Sequence, residues 1–206
     1  MIRISSLSKS YGSRVLFNQY SLEIEDREFV VFTGKSGCGK TTLLNMIGGI
    51  ETVDDGEVVV NGFHVSKGKN LKQYYQSCVG FLFQNFALME NKTVEENLNI
   101  IQKKSRTDID MDTALKYVGM EHSEKQKICY LSGGEQQRIA LARLLMKKSD
   151  VILADEPTGS LDRQNALKVI ELLHAFQDMG KTIIMVTHDL SLITNRMKRI
   201  DLPVKS

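Results

Sequence analysis

Residues 30–44 read VVFTGKSGCGKTTLL. This places G-x-x-x-x-G-K-T between an apolar, β-branched run and an apolar run of helical character, the setting in which the motif binds phosphate. Gly34, Gly37 and Gly39 let the backbone curl so that the N–H groups of Lys35, Ser36, Gly37, Cys38, Gly39 and Lys40 can face anionic oxygens. Lys40 supplies a cation for the β and γ phosphates, and Thr41 offers a hydroxyl to Mg²⁺. Thr42 is expected to open the helix whose dipole favours the anion. Cys38 is expected to contribute its N–H, with its side chain left over.

Two further sets of polar residues end apolar runs. VILADEPTGSLD (residues 151–162) finishes a strand-like segment at Asp155-Glu156, and IIMVTHD (183–189) finishes another at His188. In α/β proteins ligands bind beyond the carboxyl ends of parallel strands. Asp155 suits Mg²⁺ or its water shell, Glu156 suits polarisation of an attacking water, and His188 stands where it could touch a γ-phosphate. In YLSGGEQQRIALARLLM (130–146), Ser132-Gly133-Gly134 heads an apolar helix. Free N–H groups there make a second anion site, and Ser132 with Glu135 also spells a capping box.

The elements that must hold these residues follow from the pattern. IRIS, SLEIE, EFVVFTG and EVVVNGFHV read as strands, the last with a hairpin turn at Asn61-Gly62. KTTLLNMIGGI reads as a helix stopped by Gly48-Gly49. VGFLFQ is a short buried strand. From Asn85 to about Lys148 the text is polar and helical. DVILADE and KTIIMVTHD then flank a helix over DRQNALKVIELLHAFQDMG, which demands parallel pairing with right-handed crossovers. The expected fold is α/β: a mostly parallel core sheet, an antiparallel N-terminal β part and an inserted helical segment. Residues 1–206 are expected to form one domain, with the nucleotide-binding core at about 1–84 and 150–206 and the helical subdomain at about 85–149.

Composition narrows the classes. Lys+Arg 27 against Asp+Glu 25 leaves +2, so no basic field argues for nucleic acid. Cys38, Cys78 and Cys129 are odd in number and widely spaced, which suits a reducing compartment. MIRISSLSKSYG lacks an apolar stretch of signal-peptide type. No apolar run nears the roughly 18 residues of a membrane span. The DIDMD run (108–112) lacks the Gly and Glu of a calcium loop. NKTV at Asn91 lacks the Asp of a guanine-reading motif, and RMKR (196–199) reads as a solvated end near the final strand.

The Walker A loop, LSGGEQQR, ILADEPTGSLD and VTHD, in this order, resemble the nucleotide-binding subunit of ABC (ATP-binding cassette) transporters along essentially the whole chain. The resemblance implies ATP hydrolysis with Mg²⁺ by a head-to-tail dimer, in which Ser132, Gly133 and Gly134 grip the nucleotide held by the other copy's phosphate loop. It implies that Tyr11 stacks on adenine. Gln84 would reach Mg²⁺ and the attacking water, and Asp162 would cross the dimer interface. Glu156 takes the general-base position and His188 the switch position. The partners implied are a second copy and a separate integral membrane permease. The chain would then be cytoplasmic, peripheral on the membrane's inner face, without nucleic acid and without insertion of its own.

EPTGSLD joined to LSGGEQQRIALAR is similar to the lipoprotein-release, macrolide-export and antimicrobial-peptide group, and GFLFQNFALMENKTVEENL to bacteriocin-export ATPases. The cargo implied is a peptide, bacteriocin or antimicrobial compound. Phe86–Met89 is the candidate contact for the permease. The alternatives are a soluble ABC ATPase of translation or DNA repair, and a regulatory ATP-binding module without turnover.

Overall fold

The computed structural model describes residues 1–202. Two sheets form. Strands β1 (Ile2–Tyr11), β2 (Arg14–Ile24), β4 (Asp55–Val60) and β5 (Phe63–His64) make an antiparallel sheet in the order β2-β1-β4-β5. Its β4–β5 hairpin turns at Asn61-Gly62, both with positive φ (47° and 81°), as a two-residue turn of this hand requires. Strands β3 (Phe29–Thr33), β6 (Val79–Leu82), β7 (Val151–Asp155), β8 (Thr182–Val186) and β9 (Lys198–Asp201) make a wholly parallel sheet in the order β6-β7-β8-β3-β9.

The central strands β3, β7 and β8 are apolar except for one end residue each (Thr33, Asp155 and Thr182), because both their faces are covered. Their side chains divide by alternation. Val30, Phe32, Val151, Leu153, Ile184 and Val186 join one core with the antiparallel sheet and helices α1 (Lys40–Ile47) and α2 (Leu71–Ser77). Phe29, Val31, Ile152, Ala154, Ile183 and Met185 join a second core. That core is built with helices α3 (Val94–Asn99), α4 (Met111–Tyr117), α5 (Gly133–Met146) and α6 (Arg163–Asp178). On α6 the buried positions Ala166, Val169, Ile170, Leu173 and Phe176 follow the helical period.

Several local expectations change in detail. Helix α1 begins at Lys40 rather than Thr42: the Gly39 carbonyl already accepts the Leu43 N–H at 2.8 Å, and Gly39 itself, at φ 101°, ends the loop before it. RMKR is not merely a solvated end: Lys198 and Arg199 belong to β9, an edge strand on β3, with Lys198 paired to Glu28 at 2.9 Å. In DIDMD, Asp110 caps α4 by accepting the Thr113 N–H at 2.8 Å. Thr93 of NKTV caps α3 in a reciprocal box with Glu96. Among the described residues, no helix is long and apolar enough to cross a membrane.

Candidate functional site

Because the second sheet is parallel, the ends of β3, β6, β7 and β8 all open on one edge. The phosphate loop follows β3, Gln84 follows β6, Asp155-Glu156 closes β7 and His188 follows β8. The topology thus gathers at one crevice residues up to 154 positions apart, from Gly34 to His188.

A cavity of about 500 Å³ is lined by Tyr11, Ser36, Gly37, Gly39, Lys40, Thr41, Thr42 and His188, together with Arg14 and Leu16. Lys40 is buried, and its ammonium donates to the Gly34 and Lys35 carbonyls at 2.9 and 3.2 Å, so the cation is held across the loop. Cys38 donates its N–H to Lys35 O at 3.2 Å, and its buried thiol lies against Gly34. Arg14 donates to Gly37 O at 2.6 Å, which steadies the loop from β2.

Thr41 Oγ1 donates to Asp155 Oδ1 at 3.0 Å, placing a hydroxyl and a carboxylate side by side at the loop's end. Among the described residues, no cluster of three or more His, Cys, Asp or Glu could hold a metal. The pair Thr41 and Asp155 fits Mg²⁺, which takes few protein oxygens and completes its shell with water and phosphate. Gln84 does not line this cavity. It lines the adjoining one, of about 630 Å³, with Glu156, Gly159 and His188.

Glu156 is the first residue past β7, and its N–H still bonds Val186 O at 3.0 Å. Its φ is +46°, a left-handed backbone that costs a non-glycine residue roughly 1 kcal/mol or more and concentrates at functional sites. That turn lets Asp155 and Glu156 serve one crevice, although neighbours in a strand point apart. The Glu156 side chain is 15% exposed. Burial raises its carboxyl above the usual range, against a lowering pull from His188. His188 donates its main-chain N–H to Glu156 Oε2 at 3.3 Å. Its ring Nε2 stands 3.1 Å from Oε1 without hydrogen-bond alignment, so Oε1 has no hydrogen-bond partner among the described residues.

Ser132, Gly133 and Gly134 line neither cavity. Ser132 caps α5: its hydroxyl accepts the Glu135 N–H at 3.4 Å and donates to Glu135 Oε2, which also takes the Ser132 N–H at 2.7 Å. Asp162 caps α6 by accepting the Asn165 N–H at 2.8 Å. The two helix starts lie together, since a Cβ on Gly134 would meet the Asn165 amide at 2.7 Å. The chain therefore brings together the phosphate loop, Asp155, Glu156, His188 and Gln84, and leaves the Ser-Gly-Gly start and Asp162 together outside both cavities, beside Leu161 of the second.

Some contributors carry no motif of their own. Gln137 is fully buried and donates to Pro157 O at 2.6 Å. Arg143 donates to Phe86 O and Ala87 O at 3.0 and 2.6 Å and holds a turn in which both residues have positive φ. Within Phe86–Met89, Phe86 and Leu88 pack on the helical core while Ala87 and Met89 are exposed. A polar or basic residue inside a helix that is otherwise buried is the one sequence signal that could have marked Gln137 and Arg143.

A phosphate loop between a parallel strand and a helix, with carboxylates at the end of a neighbouring strand, defines a P-loop nucleotide-binding domain. The sequence profile of the ABC transporter family matches residues 17–159. The cell division ATP-binding protein FtsE of Escherichia coli K12 is 37% identical over 207 residues, covering 97% of this chain and 93% of FtsE. The macrolide export ATP-binding/permease protein MacB of Campylobacter jejuni is 34% identical over 212 residues, covering 98% of this chain; the chain spans 33% of MacB. The dimeric structure of MJ0796, a bacterial ABC transporter cassette, matches with TM-score 0.85 at 32% identity, covering 98% of this chain and 94% of that one. A post-hydrolysis MJ0796 dimer bound to ADP and Pi matches with TM-score 0.83 at 31% identity, over the same shares. The chain belongs to the ABC transporter family, as its ATP-binding domain.

Proposed function

We propose that the protein hydrolyses ATP as the energising subunit of a transporter, acting as a pair of copies on a separate membrane permease. The observation that carries this is the split of the site. Lys40, Thr41, Asp155, Glu156 and His188 converge on one crevice, while the Ser132-Gly133-Gly134 helix start lines neither cavity of its own chain and in this reading meets a second copy's nucleotide. The MJ0796 cassette, a dimer, supports the pairing.

In this reading the loop N–H groups and Lys40 bind the β and γ phosphates and stabilise charge that develops on them. Thr41 and Asp155 would hold Mg²⁺, which when bound neutralises phosphate charge. Glu156, with an unsatisfied Oε1, takes a proton from the attacking water. His188 borders both cavities and steadies the γ-phosphate end. Tyr11 stacks on the base, Gln84 links the crevice to the helical region, and Asp162 meets the partner copy. Residues 85–149 are the helical subdomain, and 1–84 with 150–206 the nucleotide-binding core.

The permease would dock at Phe86–Met89, where Ala87 and Met89 are exposed and Arg143 holds the turn, and along the groove of about 520 Å³ that Arg143 also lines with Tyr75, Phe81, Phe83, Ile100 and Lys147. Burial lowers the Lys147 ammonium to about 8. We propose export of a peptide or antimicrobial compound, which the macrolide-export likeness supports and the cell-division likeness does not. The test of paired action is ATP turnover against protein concentration. Turnover per chain should fall steeply on dilution; a constant specific rate down to concentrations at which only monomers remain would end the reading.

A further inference from the structure

Lys9 and Tyr11 stand two apart on β1, with a shift in the β1–β2 register between Lys9 and Ser10, and their side chains meet. Tyr11 is 49% exposed and lines the phosphate-loop cavity, whereas Lys9 is 5% exposed and does not line it. The Lys9 ammonium sits 5.0 Å from the centroid of the Tyr11 ring, within cation–π range. The same ammonium donates to Glu51 Oε1 at 2.6 Å and Thr52 O at 2.8 Å, and lies 3.6 Å from Asp54 Oδ1. A buried ammonium is retained only where it is paired and hydrogen-bonded.

Glu51 belongs to the segment leaving α1, and its own N–H bonds Asn45 O of that helix at 3.2 Å. Lys9 is therefore a buried cation fastened to the end of the phosphate-loop helix on one side and to an aromatic ring on the other. None of the hydrolytic steps above uses it.

We infer that Lys9 is the positioning residue of the base platform: it fixes the Tyr11 ring relative to the phosphate loop, so that the ring's free face meets the base of a nucleotide whose phosphates lie in that loop. This rests on the reading of Tyr11 as a stacking residue. Through Glu51, the distance from ring to phosphate cradle is set by α1 rather than by the freedom of an exposed tyrosine. Stacking reads no base edge, so the contribution is the same for adenine and guanine nucleotides.

The test is calorimetric titration of the whole chain with ATP, GTP and inorganic tripolyphosphate, each with Mg²⁺. Lys9→Met should weaken ATP and GTP by about three- to ten-fold while leaving tripolyphosphate within about two-fold. Lys9→Arg should restore most of the loss. The double variant Lys9→Met/Glu51→Gln, which leaves no unpaired Glu51 charge, should show the same base-dependent loss. Equal weakening of tripolyphosphate would make Lys9 a merely structural residue and overturn the inference, as would unchanged ATP affinity in both Met variants. Tyr11→Ala separates the two readings. If it lowers the ratio of ATP to tripolyphosphate affinity, the platform stands and Lys9 is judged on its own variants; if the ratio is unchanged, the platform beneath the inference is gone.

Discussion

Gln137 donates from Nε2 to the main-chain oxygen of Pro157 at 2.6 Å, wholly inside the protein. The helix that begins at Ser132 is thereby fastened to the residue beside Glu156. Gln137→Leu should strand the Pro157 carbonyl at a cost of about 1–3 kcal/mol, offset in part because it also removes Gln137 Oε1, buried without a partner among the described residues, so the denaturant midpoint should fall only slightly. Turnover should fall further than ATP affinity, because the bond joins the face offered to the partner to the hydrolytic carboxylate. Equal falls in both would reduce Gln137 to a packing residue.

Glu156→Gln should keep ATP binding and slow hydrolysis by about 10²–10⁴-fold. A dimer should accumulate with ATP and be visible by light scattering. Unchanged turnover would remove Glu156 from the chemistry.

The raised carboxyl of Glu156 has a stability consequence of fixed sign. Its folded value lies above its ordinary 4.5, so its contribution to folding is full below the unfolded value and is lost as pH rises through the folded one. At neutral pH the native chain carries the cost of a buried charge that glutamine lacks. Glu156→Gln should melt at a higher temperature than the native chain at pH 7, and the gap should close as pH falls below about 4. A gap that widens in acid would contradict the burial argument. Native turnover should likewise lose its acid limb at a pH above that of an ordinary glutamate.

Lys40→Ala removes a cation held across the loop by two carbonyls. Nucleotide affinity should drop by roughly 1.5–3 kcal/mol, the range of a charge-assisted hydrogen bond, measured by equilibrium titration. Native affinity would contradict the cradle.

Ser132→Arg should leave ATP binding by the monomer intact and block the ATP-dependent dimer. Loss of binding by the monomer would place the Ser-Gly-Gly segment in its own chain's site.

The crevice was legible in the sequence because its residues end strands whose apolar runs are unmistakable. Once the strands are parallel, Lys40, Asp155, Glu156 and His188 must meet. A final strand near RMKR was legible, but not that Lys198 and Arg199 belong to it: KRID is charged and short, and it is a strand because β3 offers it an edge. Helix α2, LKQYYQS, lacks a clear apolar stripe and is held by the hydroxyls of Tyr74 and Tyr75 bonding Ile47 O and Gly49 O. Arg14, Gln137 and Lys9 escaped notice because each acts on a main-chain carbonyl or a ring across a fold that no local spacing encodes. The positive φ of Glu156 was equally hidden, since glutamate is not a residue that announces a left-handed turn.

That backbone has a consequence for anyone breeding a hardier version of this protein. Position 156 combines a conformation at ease with glycine or asparagine and a pocket at ease with a neutral side chain. A selection for heat resistance alone should therefore strike there early and discard the carboxylate. The survivors would outlast their parent in the oven and do no work.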